Sequence, residues 1–150
     1  MKVLLSIKPE FTLKIFDGSK KYEYRRIIFK RKDVETIIVY ASDPIKRVIG
    51  EFDIGEILHK KPDQLWAQTR NHAGITKAMF MDYFGNHAKG YAIEVRKTRK
   101  YRTPLSLSDL TLSVPPQSFM YLHTDPMNGL YDPVKSSLSN PIRLPILALG

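Results

Sequence analysis

Apolar and polar residues change places along this chain in short blocks, and the period shifts from block to block. Val3, Leu4, Leu5 and Ile7 form an apolar run stopped by Lys8-Pro9, which predicts a short strand over residues 2–7. Pro9 suits the first position of a helix and Gly18 the position just past its end, while Phe11 and Ile15 lie four apart. A short amphipathic helix over residues 9–17 follows. Gly18-Ser19 then turns the chain. Residues 21–29 alternate weakly and predict a strand with Glu23 and Arg25 on one face and Tyr22 and Tyr24 on the other. The run TIIVYA at 36–41 is β-branched and apolar, the pattern of a buried strand, and Ser42-Asp43-Pro44 closes it as a turn. Residues 47–58 alternate through Val48, Phe52 and Ile54, with Gly50 and Gly55 as expected bends or bulges.

Two helices come next. Pro62 starts one over residues 62–70, and Thr76 caps another that Gly85 ends. Met79, Phe80, Tyr83 and Phe84 share a face of the second at helical spacing, which reads as packing. Tyr91, Ile93 and Val95 mark a strand over 90–99. Residues 104–112 read as loop or a short turn of helix, and 115–122 end in a final strand. After His123 the period is lost, and four of the ten prolines fall in residues 123–150. The pattern predicts a domain over 1–122 and a poorly ordered tail over 123–150. Short strands with clustered helices make the fold class α+β, with a strongly bent or closed sheet.

The 150 residues are 43% hydrophobic and 26% charged, which excludes wholesale disorder. Cysteine is absent, so thiol catalysis, disulfides and cysteine-ligated zinc are excluded. No apolar run reaches the ~18 residues of a membrane span, and the first apolar run is too short for a signal-peptide core. These features predict a soluble, cytoplasmic, monomeric domain with no membrane partner. His59, His72, His87 and His123 fall at no metal-ligand spacing, and no Walker or GxSxG motif is present, so neither a metal nor a cofactor is expected.

Charge changes the picture. The net charge is +9, and it is concentrated. Between Lys8 and Lys32 stand nine basic residues (Lys8, Lys14, Lys20, Lys21, Arg25, Arg26, Lys30, Arg31, Lys32) against Glu10, Asp17 and Glu23. Arg96, Lys97, Arg99, Lys100 and Arg102 form a second cluster. Such patches suit a polyanion, because each neutralised phosphate releases counterions. Tyr22, Tyr24 and Tyr101 lie among the cations, where aromatics stack on unpaired bases, although tyrosines on strands equally serve as core. Within the first cluster, Gly18-x-Lys20-x-x-Glu23-x-Arg25 sets two cations and a carboxylate beside a turn. Glu23 and Arg25 lie about 6.6–6.8 Å apart on one strand face. A carboxylate so placed accepts from a base's exocyclic amine or imide, and an arginine fork takes a phosphate or a base edge. Spacing alone favours a half-exposed Glu–Arg pair that contributes little.

Ile7-Lys8-Pro9, a helix, and then Gly18-Ser19-Lys20-Lys21-Tyr22-Glu23-Tyr24-Arg25-Arg26 together resemble the GxKxxExR signature of the ASCH family. Tyr40-Ala41-Ser42-Asp43-Pro44 and Arg47-Val48-Ile49-Gly50-Glu51-Phe52 resemble the family's next strands. Pro116-Gln117-Ser118-Phe119 resembles the closing segment of a subgroup labelled predicted transcriptional regulators. The resemblance covers about residues 1–122. It implies a PUA-like mixed β pseudo-barrel with short helices packed around it and a cleft between the two. It implies a basic cleft that binds RNA or single-stranded nucleic acid, including a modified nucleotide. Lys20, Glu23 and Arg25 would face the cleft, Ser42 with Gln117 or Ser118 would complete it, and Lys8 and Arg26 would add contacts. A small hydrolase is the alternative, with Lys20 and Glu23 as the catalytic acid–base pair. One family branch hydrolyses N-acetylated cytidine with a lysine after the glycine and a threonine three residues later. Lys20 matches that lysine, and Glu23 stands at the threonine's position. In a ribonuclease reading Lys20 would act with Tyr40 or Tyr121.

Overall fold

The computed structural model describes residues 1–122. The tail expected at 123–150 lies outside the described residues. Strand β1 (Lys2–Ile7) leads into helix α1 (Pro9–Asp17), which starts at Pro9 as its fixed φ allows. Gly18 ends α1 at φ +88°, in the left-handed region that favours glycine, and donates its N–H to Ile15 O at 3.3 Å. Strands β2 (Tyr22–Arg25), β3 (Thr36–Ala41) and β4 (Arg47–Lys60) follow. Helices α2 (Pro62–Thr69) and α3 (Lys77–Phe84) form an excursion between β4 and β5 (Gly90–Leu105). Strand β6 (Phe119–Leu122) closes the fold.

One sheet carries the order β2-β5-β4-β3-β1-β6, in which β1 runs parallel to β3 and every other pair is antiparallel. The sheet curls into a half-barrel because β4 is bulged against β5 between Val48 and Gly50, Glu51 and Asp53, and Ile54 and Ile57. The bends expected at Gly50 and Gly55 fall in these intervals. Val3, Leu5, Ile7, Ile37, Val39, Phe52 and Ile93 fill the barrel's concave side, with Ile15 of α1 and Phe29 and Val34 as plugs. Leu4, Ile38, Tyr40, Val48, Tyr101 and Leu105 form a second cluster. Leu65, Ala73, Phe80 and Phe84 of the helical excursion pack on Tyr24, Leu58 and Ala92 of the sheet.

Several boundaries differ from the sequence pattern. The strand expected over 21–29 ends at Arg25. Phe29 leaves the sheet to enter the core, edge-to-face with Phe119 at 6.0 Å, and Tyr121 Oη accepts from the N–H groups of Lys30 and Arg31. The strand expected to stop at Arg99 continues to Leu105, since β4 offers it partners as far as Val48. The short helical turn expected within 104–112 is a 3-10 helix at Ser108–Leu110. The aromatic stripe of α3 divides: Phe80 and Phe84 are fully buried, whereas Met79 is 42% exposed and Tyr83 is half-buried. Tyr24 and Tyr101 are core residues. Tyr101 Oη donates to Glu51 at 2.9 Å, within a network where Arg99 bonds Glu51 at 2.7 Å and Asp53 at 2.6 Å. Among the described residues no helix is long and apolar enough to cross a membrane.

Phe80 joins the helical excursion to the sheet, with ring centroids 4.8 Å from Tyr24 and 4.8 Å from Phe84. Phe80→Ala should lower unfolding stability by about 3–5 kcal/mol in urea titration, as expected for removing a fully buried ring.

Candidate functional site

The two edges of the curled sheet meet beneath a cleft of about 640 Å³. Its walls come from the end of β1 (Ser6) and Lys8 just after it, α1 (Phe11), the loop after β2 (Arg26, Ile27), α3 (Met79, Tyr83) and the closing segment (Gln117, Ser118). Lys20, Glu23, Tyr24 and Arg25 line it from the turn after α1 and from β2. Lys20, Glu23, Arg25, Arg26, Lys8, Ser42, Gln117 and Ser118, the residues singled out in the sequence, all line this one cleft.

Lys20 is the least exposed of these, at 1%. Its side chain crosses beside Gly74, where a Cβ would meet Lys20 Cβ at 2.5 Å and where φ is +68°. Both constraints favour glycine there. Nζ donates to Ala73 O at 2.7 Å and lies 4.7 Å from the Tyr24 ring centroid and 5.2 Å from that of Phe11. Glu23 Oε1 is 4.0 Å away. Burial disfavours the ammonium and outweighs the attraction of Glu23, with Lys14 adding to the depression, so the pKa falls from 10.5 to about 8. This corresponds to a cost of about 3 kcal/mol relative to an exposed lysine.

Glu23 is 5% exposed, and the one protein hydrogen bond to its carboxylate among the described residues comes from Arg25 Nη1 to Oε2 at 3.3 Å. The Arg25 guanidinium spans the two sheet edges. Nη1 also donates to Ser6 O at 3.1 Å, and Nη2 donates to Ser118 Oγ at 2.7 Å and Ser118 O at 3.3 Å. The closing segment is further tied to β1 by Ser6 Oγ donating to Pro116 O at 2.7 Å and Ser6 N–H donating to Ser118 O at 3.1 Å. Tyr24 Oη is held by Thr69 Oγ1 at 2.6 Å, and burial pushes its phenol up to about 12. Arg26 stacks its guanidinium on Tyr83, 4.8 Å from the centroid.

The second basic cluster contributes nothing to the cleft wall, since no residue from 96 to 102 lines it. Tyr40 is 3% exposed in another core cluster, and Tyr121 anchors the loop after β2, so neither lines the cleft. The sequence pattern missed Phe11, Gly74, Met79 and Tyr83. Gly74 carried a signal in its place two residues before the Thr76 cap. Met79 and Tyr83 belong to the stripe whose helical spacing reads as packing.

This curled sheet with its helix-lined cleft is a PUA-like fold. A family model of the ASCH domain matches residues 5–102, and the chain belongs to the ASCH domain family. The crystal structure of ASCH from Zymomonas mobilis aligns with a TM-score of 0.77 at 29% identity, covering 86% of this chain and 92% of that one. An "ASCH domain-containing ribonuclease" from Zymomonas mobilis subsp. mobilis is 30% identical over 128 residues, covering 83% of this chain and 86% of that protein. ATP synthase subunit alpha from Ureaplasma parvum serovar 3 is 28% identical over 121 residues. That match takes in 80% of this chain, which spans 15% of the relative's length.

Lys20 carries a pH signature. Below pH 8 it is charged in both the folded and the unfolded chain, and its burial lowers stability by a constant amount. Between pH 8 and 10.5 the unfolded chain holds the proton and the folded chain has released it, so the penalty fades as pH rises. Lys20→Met should unfold at higher urea than the parent at pH 7, and the gap should narrow by pH 10. Parallel titrations at the two pH values check this.

Proposed function

We propose that this domain binds single-stranded RNA, with one base seated in the cleft over Lys20 and Glu23. The carrying observation is the buried Lys20–Glu23–Arg25 cluster. A buried ammonium with a carboxylate 4.0 Å away is an expensive arrangement for a protein that gains nothing else from it. Clefts of this volume suit small ligands. Exposed Lys8 and Arg26 at the rim are placed for flanking phosphates, and Ser42 and Gln117 for polar contacts. Arg25, engaged by Ser6, Glu23 and Ser118, acts by positioning the wall. The ribonuclease name of the Zymomonas relative supports RNA as the partner.

A ribonuclease or acylated-cytidine hydrolase is the second reading. It rests on Lys20, whose depressed pKa leaves a fraction of neutral amine near physiological pH beside a carboxylate. Turnover of labelled RNA or of acetylated cytidine that disappears in Lys20→Met and Glu23→Gln would favour it, and activity surviving both changes would place the chemistry elsewhere.

For the binding reading, short single-stranded RNA should be retained at about 50 mM salt and lose affinity steeply by about 200 mM. Arg26→Ala should flatten the log–log salt slope by about 0.7, the value for one phosphate contact on a single strand. Absence of retention at the lower salt would sink the reading.

A further inference from the structure

The floor of the cleft holds an imbalance that points to the kind of base it accepts. A carboxylate offers about four acceptor positions. Glu23, 5% exposed, receives a single protein hydrogen bond, at 3.3 Å on Oε2, and Lys20 Nζ stands beyond bonding distance at 4.0 Å from Oε1. Buried acceptors left this short of donors are rare in folded proteins. Lys20 is also short of partners. Its ammonium has three hydrogens, and among the described residues one is placed on an oxygen, that of Ala73, the other neighbours being the Tyr24 and Phe11 rings. The floor therefore presents two carboxylate acceptors side by side with a cationic donor next to Oε1.

A phosphate does not fit this arrangement, because it would meet the Glu23 carboxylate head on. A heterocycle with adjacent N–H donors does fit. Among the common bases, guanine alone carries two neighbouring N–H donors, N1–H and the N2 amine, on one edge, followed by a carbonyl at O6. Adenine, cytosine and uracil each offer one donor-bearing nitrogen on that edge. We propose that the cleft selects guanine, with Glu23 accepting from N1–H and N2–H through its two oxygens and Lys20 donating to O6. The carboxylate order follows from the geometry: Oε1, the oxygen nearer Lys20, takes N1–H, and Oε2 takes the N2 amine. Arg25, which also lines the cleft, holds Oε2, and its own bonds to Ser6 and Ser118 fix its position. Phe11 on α1 and Tyr83 on α3, the latter carrying the Arg26 guanidinium 4.8 Å from its centroid, line the walls around the ring. This inference rests on the reading of the cleft as a base-binding site and adds the identity of the base.

The test uses the full chain and single-stranded RNA pentamers that differ at the central position, at about 50 mM salt, followed by fluorescence anisotropy. Guanosine should bind about 10-fold tighter than adenosine, cytidine or uridine at that position, as a good bidentate contact discriminates. Inosine, which lacks the N2 amine, should lose most of the advantage. N1-methylguanosine should fall to the level of the other bases, and 7-deazaguanosine should match guanosine. Glu23→Gln should lose the preference for guanosine over the other three bases. Equal affinity for all pentamers, a preference for another base, or guanosine preference that persists in Glu23→Gln would each overturn the assignment while leaving RNA binding standing. Failure of every pentamer to bind would instead overturn the base-binding reading itself.

Discussion

The guanidinium of Arg25 is the joint on which the architecture turns. β2 and β6 are the two edges of a six-stranded sheet, at opposite ends of its hydrogen-bonded order. Curling brings them face to face without a ladder between them. Arg25 spans that gap, bonding the Ser6 carbonyl on β1 and both Ser118 oxygens ahead of β6 while leaning on Glu23 in its own strand. Its planar fork suits such divergent acceptors, which a lysine could not reach together. At the cleft the two edges are thus joined by a side chain where strand pairing would have filled the hollow, with Phe29 on Phe119 and Tyr121 on the loop after β2 adding to the closure, and the hollow is what remains available to a ligand.

That arrangement sets stability against use. The sheet and the helical excursion bury ordinary apolar cores, whereas the hollow buries an ammonium and a carboxylate whose protein contacts leave both short of partners. The other buried charge among the described residues is compensated. Glu51, 2% exposed, receives Arg99 and Tyr101 together and has Lys2 at 3.6 Å. The contrast between Glu51 and Glu23 separates a carboxylate that closes a structural network from one that faces a cavity.

Much of this was legible in the residues. Strand β3 declared itself by β-branching, α1 by Pro9 and Gly18, and the α+β class by the change of period. The Gly–Lys–Glu–Arg spacing named the residues of the cleft because a turn and one strand face place them together locally. What sequence alone withheld depends on distant chain segments. Whether Glu23 and Arg25 lie open to solvent is decided by Ser6 and Ser118, which are 19 and 93 positions from Arg25 in the chain. Met79 and Tyr83 look the same in sequence as Phe80 and Phe84, and only the placement of α3 against Tyr24 decides which pair is buried. The register of β5 against β4 likewise set the true end of a strand that alternation alone stopped early.

The bond between Ser6 and Pro116 joins residues 110 positions apart and forms part of the same wall as Ser118. During translation the first strand and helix therefore emerge long before their closing partner exists. The hollow can take shape only once β6 has cleared the ribosome and paired with β1.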